Sequence, residues 1–237
     1  MQVEIFSDVV CPWCAVGKRR FEAALRRFAH ADEVDVVWRS YELDPHASGH
    51  REGDSAGRLA RKYGISREQA LASMGQLTQT AAAEGLDFHL ERARPANTFD
   101  AHRLLHFARG AGPGFQDALE ERLFTAHFTE GADVADHETL VRLAGEARLD
   151  RLECAEILAG DRYADAVRAD EAEAIELGVT GVPFFVVDRR FAIAGAQDAD
   201  TIEGILGRAW AKAHPFPEAV EPPTRDGGDC EGGSCAV

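Results

Sequence analysis

The sequence predicts an α/β fold in which a long helical segment interrupts a unit of strands and helices. Residues 1–45 show a strand–helix–strand pattern, apolar residues recur at helical spacing from about 58 to 177, and strand patterns return at 178–213 before a closing helix. We therefore expect a discontinuous α/β domain, 1–45 and 178–213, with a large inserted α-helical subdomain at 46–177. Residues 214–237 are rich in Pro and Gly and are expected to form a flexible tail.

The first two predicted strands enclose a helix. The stretch Val3-Glu4-Ile5-Phe6 can form a short strand, and large apolar residues recur at helical spacing between Phe21 and Phe28. The β-branched and aromatic run 33–43 predicts a second strand, which Asp44-Pro45 ends. Such a unit implies that its strands are parallel and that a right-handed crossover joins them.

Capping signals divide the segment that follows a predicted loop at 46–57. Ser66 and Gln69 form a capping-box pattern, and Gly178 is placed to end the last helix before the chain returns to β structure. Between them, helix starts are expected at Asn97 or Thr98, Pro113, Asp136, Asp150 and about Arg162. These signals predict a subdomain built of helices.

The last structured part is predicted to be a hairpin and a helix. Residues 183–188 form a strand pattern, Arg189-Arg190 a turn and 191–195 the partner strand. Apolar residues between Ile202 and Trp210 then define a closing helix.

Composition restricts the partners of this protein. The net charge of −15 opposes binding to nucleic-acid backbones and anionic membrane surfaces. No apolar stretch approaches about 20 residues, the length that a membrane-spanning helix needs. No basic segment followed by an apolar one opens the chain, and its five cysteines then favour a reducing compartment. We expect a cytoplasmic protein with no nucleic-acid partner and no membrane partner.

The motif Cys11-Pro12-Trp13-Cys14 lies where the first strand pattern gives way to the first helical pattern. Unpaired N–H groups and the helix dipole at a helix start favour the thiolate of Cys11. Pro12 suits the first helical position, where its missing N–H would have no partner. Cys14 lies one turn further on, close enough to displace a substrate held as a mixed disulfide. The motif therefore predicts thiol–disulfide exchange.

A zinc site is the alternative for this pair, because two cysteines separated by two residues also suit a tetrahedral metal. Zinc pairs usually have a second Cys or His pair at short range, and none follows at suitable spacing within the next 100 residues. His102 and His106 share a helical face without a third ligand and are expected to be partly exposed helix residues. No metal site is therefore predicted.

Val182-Pro183 stands directly before the third predicted strand. A proline that simply begins a strand is one interpretation. In the thioredoxin fold, however, a Thr or Val precedes a cis-proline that faces the CxxC motif, and residues 179–183 resemble that loop. A cis X–Pro bond turns the chain sharply and leaves the backbone of Val182 exposed to an extended substrate.

The chain as a whole resembles the DsbA-like thioredoxin family, and specifically its FrnE-type branch of cytoplasmic oxidoreductases. The resemblance covers residues 2–213 and rests on the stretches 7–17, 43–45, 97–103 and 178–183. Kappa-class glutathione transferases and 2-hydroxychromene-2-carboxylate isomerases resemble the chain in the insertion and the proline loop, but commonly have Ser at the position of Cys11. Because both cysteines are present here, disulfide exchange is the stronger interpretation.

The resemblance implies a role for each site residue. Cys11 attacks the substrate disulfide and Cys14 resolves the mixed disulfide. Pro183 and the backbone of Val182 hold the substrate strand beside Cys11. Further substrate-binding positions are Pro12, Trp13, Asn97 and His102. For Trp13 simple packing is an alternative, and Asn97 and His102 are expected to line the cleft on the resemblance alone.

The other three cysteines fall into two groups. Cys154 lies on an apolar helical face and is expected to be a small buried core residue. Cys230 and Cys235 lie in the Gly-rich tail. We hypothesise that these two form an accessory dithiol that exchanges with the first pair, with metal binding or no role as the alternatives.

Three classes of function remain open. The first is a thiol–disulfide oxidoreductase, reductase or isomerase, that acts on a disulfide-containing protein or small molecule. The second is a glutathione-dependent transferase or isomerase of aromatic compounds, and the third is a non-catalytic, chaperone-like scaffold. The first class implies no tightly bound cofactor, and glutathione or another low-molecular-weight thiol as the electron donor. The sequence leaves a homodimer open.

Overall fold

The computed structural model describes residues 1–47 and 54–215. A sheet lies at its centre, with the strands β1 (Gln2–Ser7), β2 (Asp35–Ser40), β3 (Phe184–Val187) and β4 (Phe191–Ala194). Their order is β2-β1-β3-β4, with β1 parallel to β2 and antiparallel to β3. Ile5 in β1 pairs with Trp38 on one side and Phe185 on the other. The predicted parallel pairing of the first two strands is confirmed.

Helices surround the sheet and fill the connection between β2 and β3. The helices are α1 (Pro12–Arg27), α2 (Ser55–Tyr63), α3 (Arg67–Ala83), α4 (Phe99–Ala111), α5 (Phe115–Thr125), α6 (His137–Glu146), α7 (Arg151–Ala159), α8 (Ala164–Glu176) and α9 (Ala199–Ala213). A π-helical segment, Ala126–Glu130, continues α5. The expected α/β fold with a large helical insertion is confirmed. Within the described residues, every helix falls short of the length or the apolar character that a membrane span requires.

Local capping explains several of the helix starts. Ser66 and Gln69 form the predicted capping box at the start of α3. The carboxylates of Asp136 and Asp150 accept hydrogen bonds from backbone N–H groups in the first turns of α6 and α7. Gly178 follows α8 with a φ of 71°, the left-handed conformation that glycine adopts readily.

Three boundaries differ from the prediction. The second strand is shorter than 33–43, because a 3₁₀ turn at Ala31–Glu33 precedes it. The loop predicted at 46–57 ends early, since the side chain of Asp54 caps α2. Helix α5 begins at Phe115 rather than at Pro113, because Gly114 has a φ of 80°.

The apolar core has two main parts. One lies between the sheet, α1 and α9 and includes Ile5, Phe21, Phe185, Ile202 and Leu206. The other lies among the inserted helices and includes Leu104, Leu119, Leu140, Cys154 and Ile157. Cys154 is fully buried, as predicted.

Lys18 connects the two parts of the fold next to the motif that carries the cysteines. Its side chain is buried in α1, and its Nζ lies 3.2 Å from Asp117 and 3.3 Å from Glu121, both in α5. Burial alone would lower the pKa of Lys18, but Asp117, Glu22 and Glu121 outweigh burial and raise it. These ion pairs hold the first helix against the inserted helices.

Candidate active site

The start of α1 carries the two cysteines. Cys11 is the N-cap residue, with φ −92° and ψ 108°, and Pro12 is the first helical residue. The Cys11 N–H donates to the Asp8 carbonyl at 2.9 Å, and the Cys14 N–H donates to the Cys11 carbonyl at 3.0 Å. Cys11 is 5% exposed, whereas Cys14 is fully buried. Cys11 is therefore the more accessible residue of the pair.

The loop before β3 faces Cys11. The Val182–Pro183 peptide bond is cis. The Cys11 thiol donates a hydrogen bond to the Val182 carbonyl oxygen, 3.4 Å from Sγ. Pro183 also packs closely on α1, since a Cβ added at Gly17 would lie 2.8 Å from the Pro183 Cγ atom. Two segments that are distant in the sequence thus form one site.

Cys14 lies beside a buried network of hydroxyl and carboxyl groups. Burial raises the pKa of Cys14 well above its usual value, the neighbouring Cys11 raises it further, and the Ser7 hydroxyl opposes this rise. Ser7 donates to Oε1 of Glu120 at 2.7 Å. Glu120 is fully buried in α5, and burial raises its pKa to about 7. An ionisable carboxyl therefore lies one hydroxyl group away from the buried thiol.

Asp8 is a second buried carboxylate near the motif. Its Oδ2 accepts a hydrogen bond from the Leu43 N–H at 2.7 Å. The Nε2 atom of His102 lies 3.7 Å from its Oδ1. Burial lowers the pKa of His102, but the attraction of Asp8, with that of two further carboxylates, outweighs burial and the pKa is raised. Asp8 thus joins the loop before α1, the loop after β2 and helix α4.

His102 and Asn97 lie behind the cleft rather than on its wall. His102 is 1% exposed and packs against Asp8, so the expectation that it is a partly exposed residue lining the cleft is wrong. Asn97 donates from Nδ2 to the Pro45 carbonyl at 3.1 Å and so supports the loop after β2. His106 is largely buried too, with its Nε2 3.0 Å from Asp170. These side chains are directed at neighbouring backbone and carboxylate groups instead of the cleft.

A cleft of about 2110 Å³ opens beside Cys11. Its walls are formed by residues 10–13, the loops 43–47, 90–96 and 180–182, α2, α3 and the π-helical segment. Apolar side chains on these walls include Trp13, Leu59, Met74, Leu77, Leu90 and Phe128. Small-molecule sites typically enclose about 300–1,000 Å³. The cleft therefore has room for a segment of polypeptide chain.

His127, in the π-helical segment, also lines this cleft. Its side chain is buried, and its Nδ1 atom has no hydrogen-bond partner among the described residues. Burial lowers the pKa of His127 to about 4, and the charge of Arg58 acts in the same direction. A neutral imidazole with one unused nitrogen therefore lies in the wall.

Among residues 1–47 and 54–215, no group of three or more His, Cys, Asp or Glu side chains is arranged to hold a metal ion. The predicted accessory pair, Cys230 and Cys235, lies outside the described residues.

The family model of the DsbA-like thioredoxin domain matches residues 2–207. The chain belongs to the DsbA-like thioredoxin family. The match includes the sheet, the CxxC motif and the inserted helices. The DsbA-like assignment inferred from the short motifs is thereby confirmed, and the FrnE-type resemblance is consistent with it.

Solved structures resemble this DsbA-like protein over most of its length. A probable DsbA oxidoreductase from Streptomyces coelicolor is 44% identical, with a TM-score of 0.85 over 100% of this chain and 99% of that one. A 2-hydroxychromene-2-carboxylate isomerase is 17% identical, with a TM-score of 0.64 over 90% and 98% of the two chains. The cytosolic disulfide reductase DsbM from Pseudomonas aeruginosa, in a structure with GSH, is 19% identical, with a TM-score of 0.54 over 89% and 99%. At these lower identities the last two show a shared fold.

Sequence reasoning missed Glu120 and His127. A signal for Glu120 was present, since it lies four residues after Gln116 and four before Phe124, and all three share the buried face of α5. No pattern of this kind marks His127, because a π-helical segment shifts the helical periodicity at that position.

Proposed function

We propose that this DsbA-like protein is a thiol–disulfide oxidoreductase that reduces or rearranges substrate disulfides through Cys11 and Cys14. The Cys11 thiolate attacks one sulfur of the substrate disulfide, and the other sulfur leaves as a thiolate that takes up a proton. Cys14 then loses its proton and attacks the Cys11 sulfur of the mixed disulfide. This step closes the Cys11–Cys14 disulfide and releases the second substrate thiol. Two electrons have passed to the substrate, and an external thiol must restore the dithiol.

The position of Cys11 carries this proposal. Its sulfur lies at the helix start, 3.4 Å from the Val182 carbonyl oxygen and on the wall of the large cleft. An extended substrate held by the backbone of Val182 and by Pro183 would bring its own sulfur next to Cys11. Pro12 and Trp13 also line the cleft, and Trp13 is 44% exposed, so its indole is available for contact.

The buried groups beside Cys14 support a route for its proton. Cys14 must lose a proton before it attacks, and burial makes that loss unfavourable at neutral pH. Glu120 has a pKa of about 7 and accepts a hydrogen bond from Ser7, whose hydroxyl also acts to lower the pKa of Cys14. A group whose pKa lies near the working pH is suited to take up a proton and return it. In our proposal Glu120 accepts the Cys14 proton through Ser7.

Turnover of insulin disulfides with an added thiol reductant tests the proposal. We expect Cys11→Ser to abolish turnover, and Cys14→Ser to accumulate a mixed disulfide with the substrate that mass spectrometry detects. Cys154→Ala is the matched control, because Cys154 is fully buried in the helical core and should leave turnover intact. Equal turnover by the wild type and Cys11→Ser would overturn the proposal.

A low-molecular-weight thiol such as glutathione is our proposed electron donor, with no tightly bound cofactor. The DsbM structure contains GSH, and the cleft beside Cys11 has ample room for a tripeptide. Regeneration of the dithiol by glutathione alone, followed by mass spectrometry of the Cys11 adduct, checks this proposal.

A glutathione-dependent isomerase is the second candidate, because an isomerase of this class shares the fold. The two candidates differ in their need for Cys14, which disulfide exchange requires. Isomerase activity on an aromatic substrate that survives Cys14→Ser would favour the second candidate. A holdase activity that is unchanged in Cys11→Ser and in Cys14→Ser would favour the chaperone-like scaffold.

Four further expectations remain proposals. We propose that residues 1–45 and 178–213 together form one subdomain and that the helices of 46–177 form another. We also propose that the protein acts in the cytoplasm and that it can form a homodimer. The fourth is the relay from Cys230 and Cys235 to the first pair. A chain truncated after residue 218 should lose disulfide turnover or substrate range if that relay operates, and unchanged values would reject it.

A further inference from the structure

The cleft beside Cys11 differs in charge from the chain as a whole. The chain has 26 Lys and Arg residues against 41 Asp and Glu residues. Among the described residues of the cleft wall, the acidic one is Asp44, whereas the basic ones are Arg58, Arg61, Lys62 and Arg94. A cleft with low-dielectric walls focuses the field of the charges that line it. It can therefore attract an anionic group that the rest of the molecule repels.

The basic residues of the cleft wall differ in their hydrogen bonds and in their exposure. Arg58 is anchored, since it donates to the Ser55 hydroxyl at 2.9 Å and to the Ala93 carbonyl at 3.0 Å. Its charge contributes to the lowered pKa of His127, so its field reaches the inner wall. Lys62 and Arg94 are exposed.

These two exposed cations are available to a ligand. Within residues 1–47 and 54–215, neither Lys62 nor Arg94 has an ion pair with a carboxylate. A carboxylate of a bound partner could therefore pair with either cation without displacing a described partner.

The cleft also offers an apolar surface. Leu59, Met74 and Leu77 form apolar parts of its wall. A peptide supplies both backbone groups and side chains, and its length suits a cleft of about 2110 Å³. The expected ligand therefore combines apolar and anionic groups.

We propose that the preferred substrate of the Cys11–Cys14 dithiol is a peptide segment with acidic residues next to its disulfide-bonded cysteine. This inference rests on the proposed oxidoreductase function. The carboxylates of the segment pair with Lys62 and Arg94, while an apolar side chain packs against the α2 and α3 walls. The dithiol gives two electrons to the peptide disulfide and becomes a disulfide, and dithiothreitol restores it in the assay described below.

Three disulfide-bonded peptides that differ only in the residues flanking one cysteine test the preference. The flanking pair is Glu-Glu, Gln-Gln or Lys-Lys, and each rate is divided by the rate with dithiothreitol alone to remove intrinsic reactivity. For the full-length chain we expect kcat/KM to be about tenfold higher for the Glu peptide than for the Lys peptide at low salt. The ratio of the two rates should approach one at about 1 M salt, because the Debye length is then about 3 Å and charge interactions are screened.

Charge-reversal variants assign the preference to the cleft. Lys62→Glu/Arg94→Glu should reverse the order of the Glu and Lys peptides. The matched control is Arg109→Glu/Arg208→Glu, which changes the net charge equally at exposed positions off the cleft wall and should keep the wild-type order. Equal rates for the three peptides, or an unchanged order in the cleft variant, would reject the acidic-substrate inference. Reduction of all three peptides by Cys11→Ser would instead reject the oxidoreductase function itself.

Discussion

Replacement of Glu120 by Gln should change how the stability of this protein depends on pH. Glu120 is fully buried, and burial raises its pKa from 4.5 to about 7. The folded state therefore holds a proton between these values that the unfolded state releases. The contribution of Glu120 to the free energy of unfolding is fully present below pH 4.5 and is lost as the pH rises through 7.

The magnitude follows from the size of this shift. A change of one pKa unit corresponds to about 1.4 kcal/mol, so a shift from 4.5 to about 7 lowers the free energy of unfolding by about 3 kcal/mol between pH 4.5 and pH 8. Gln has no proton to lose and keeps an oxygen that can accept from Ser7. Between these two pH values, Glu120→Gln should therefore lose about 3 kcal/mol less stability than the wild type.

Urea unfolding at a series of pH values, followed by circular dichroism, measures this difference. Comparison of the two proteins across the same pH range cancels the titration of all other groups. Glu176→Gln is the matched control, since Glu176 is exposed at the end of α8 and its replacement should change stability by less than about 0.5 kcal/mol. The same pH dependence in Glu120→Gln and the wild type would refute the reasoning.

Three further perturbations are expected to give measurable effects. Gly17→Ala should destabilise the fold by about 1–3 kcal/mol and slow disulfide turnover, because its Cβ would lie 2.8 Å from the Pro183 Cγ atom; urea unfolding checks this. Gly207→Ala in α9 is the control, since its Cβ meets no atom within 4 Å, and it should stabilise the protein slightly. Between pH 8 and pH 5, His127→Phe should lose about 2 kcal/mol less stability than the wild type, because the pKa of His127 is lowered from 6.5 to about 4 and the wild type loses stability as the pH falls through that window; the same change in the free energy of unfolding in both proteins would contradict this. The Cys11–Cys14 couple should have a reduction potential more negative than about −120 mV, the value for DsbA, since Pro12-Trp13 supplies no His to stabilise the thiolate; equilibration with glutathione redox buffers measures it, and a value as positive as that of DsbA would disprove the argument.

Features that depend on near neighbours could be predicted from the sequence. The caps at Asp136 and Asp150 require a carboxylate and the N–H groups of the next turn, so a short window contains all the necessary information. The CxxC motif is equally local, and its place at the start of a helix followed from the apolar spacing after it. The boundaries of β2 and α5 were less accurate, because a 3₁₀ turn and a left-handed Gly114 set them.

The parts of the site that the sequence did not reveal depend on contacts between distant segments. Ser7 and Glu120 are separated by 113 residues and meet only when α5 packs against the sheet. His102 was expected on the cleft wall, but its buried side chain faces Asp8, which precedes α1 in the chain. A one-dimensional pattern contains no information about which buried group will face which other group.

The placement of Glu120 has a consequence for how this family can diversify. The dithiol and the proline loop belong to the sheet and its first helix, whereas most residues of the cleft wall belong to the inserted segment 46–177. If the cleft binds the substrate as proposed, substitutions on the cleft-facing sides of α2 and α3 change which partners are accepted while the proposed chemistry of Cys11 and Cys14 stays the same. Helix α5 differs, because its Glu120 carboxyl accepts a hydrogen bond from Ser7 and none of its residues lines the cleft. In the proposed function, substitutions in α2 and α3 would therefore change substrate choice, whereas substitution of Glu120 would change the behaviour of Cys14.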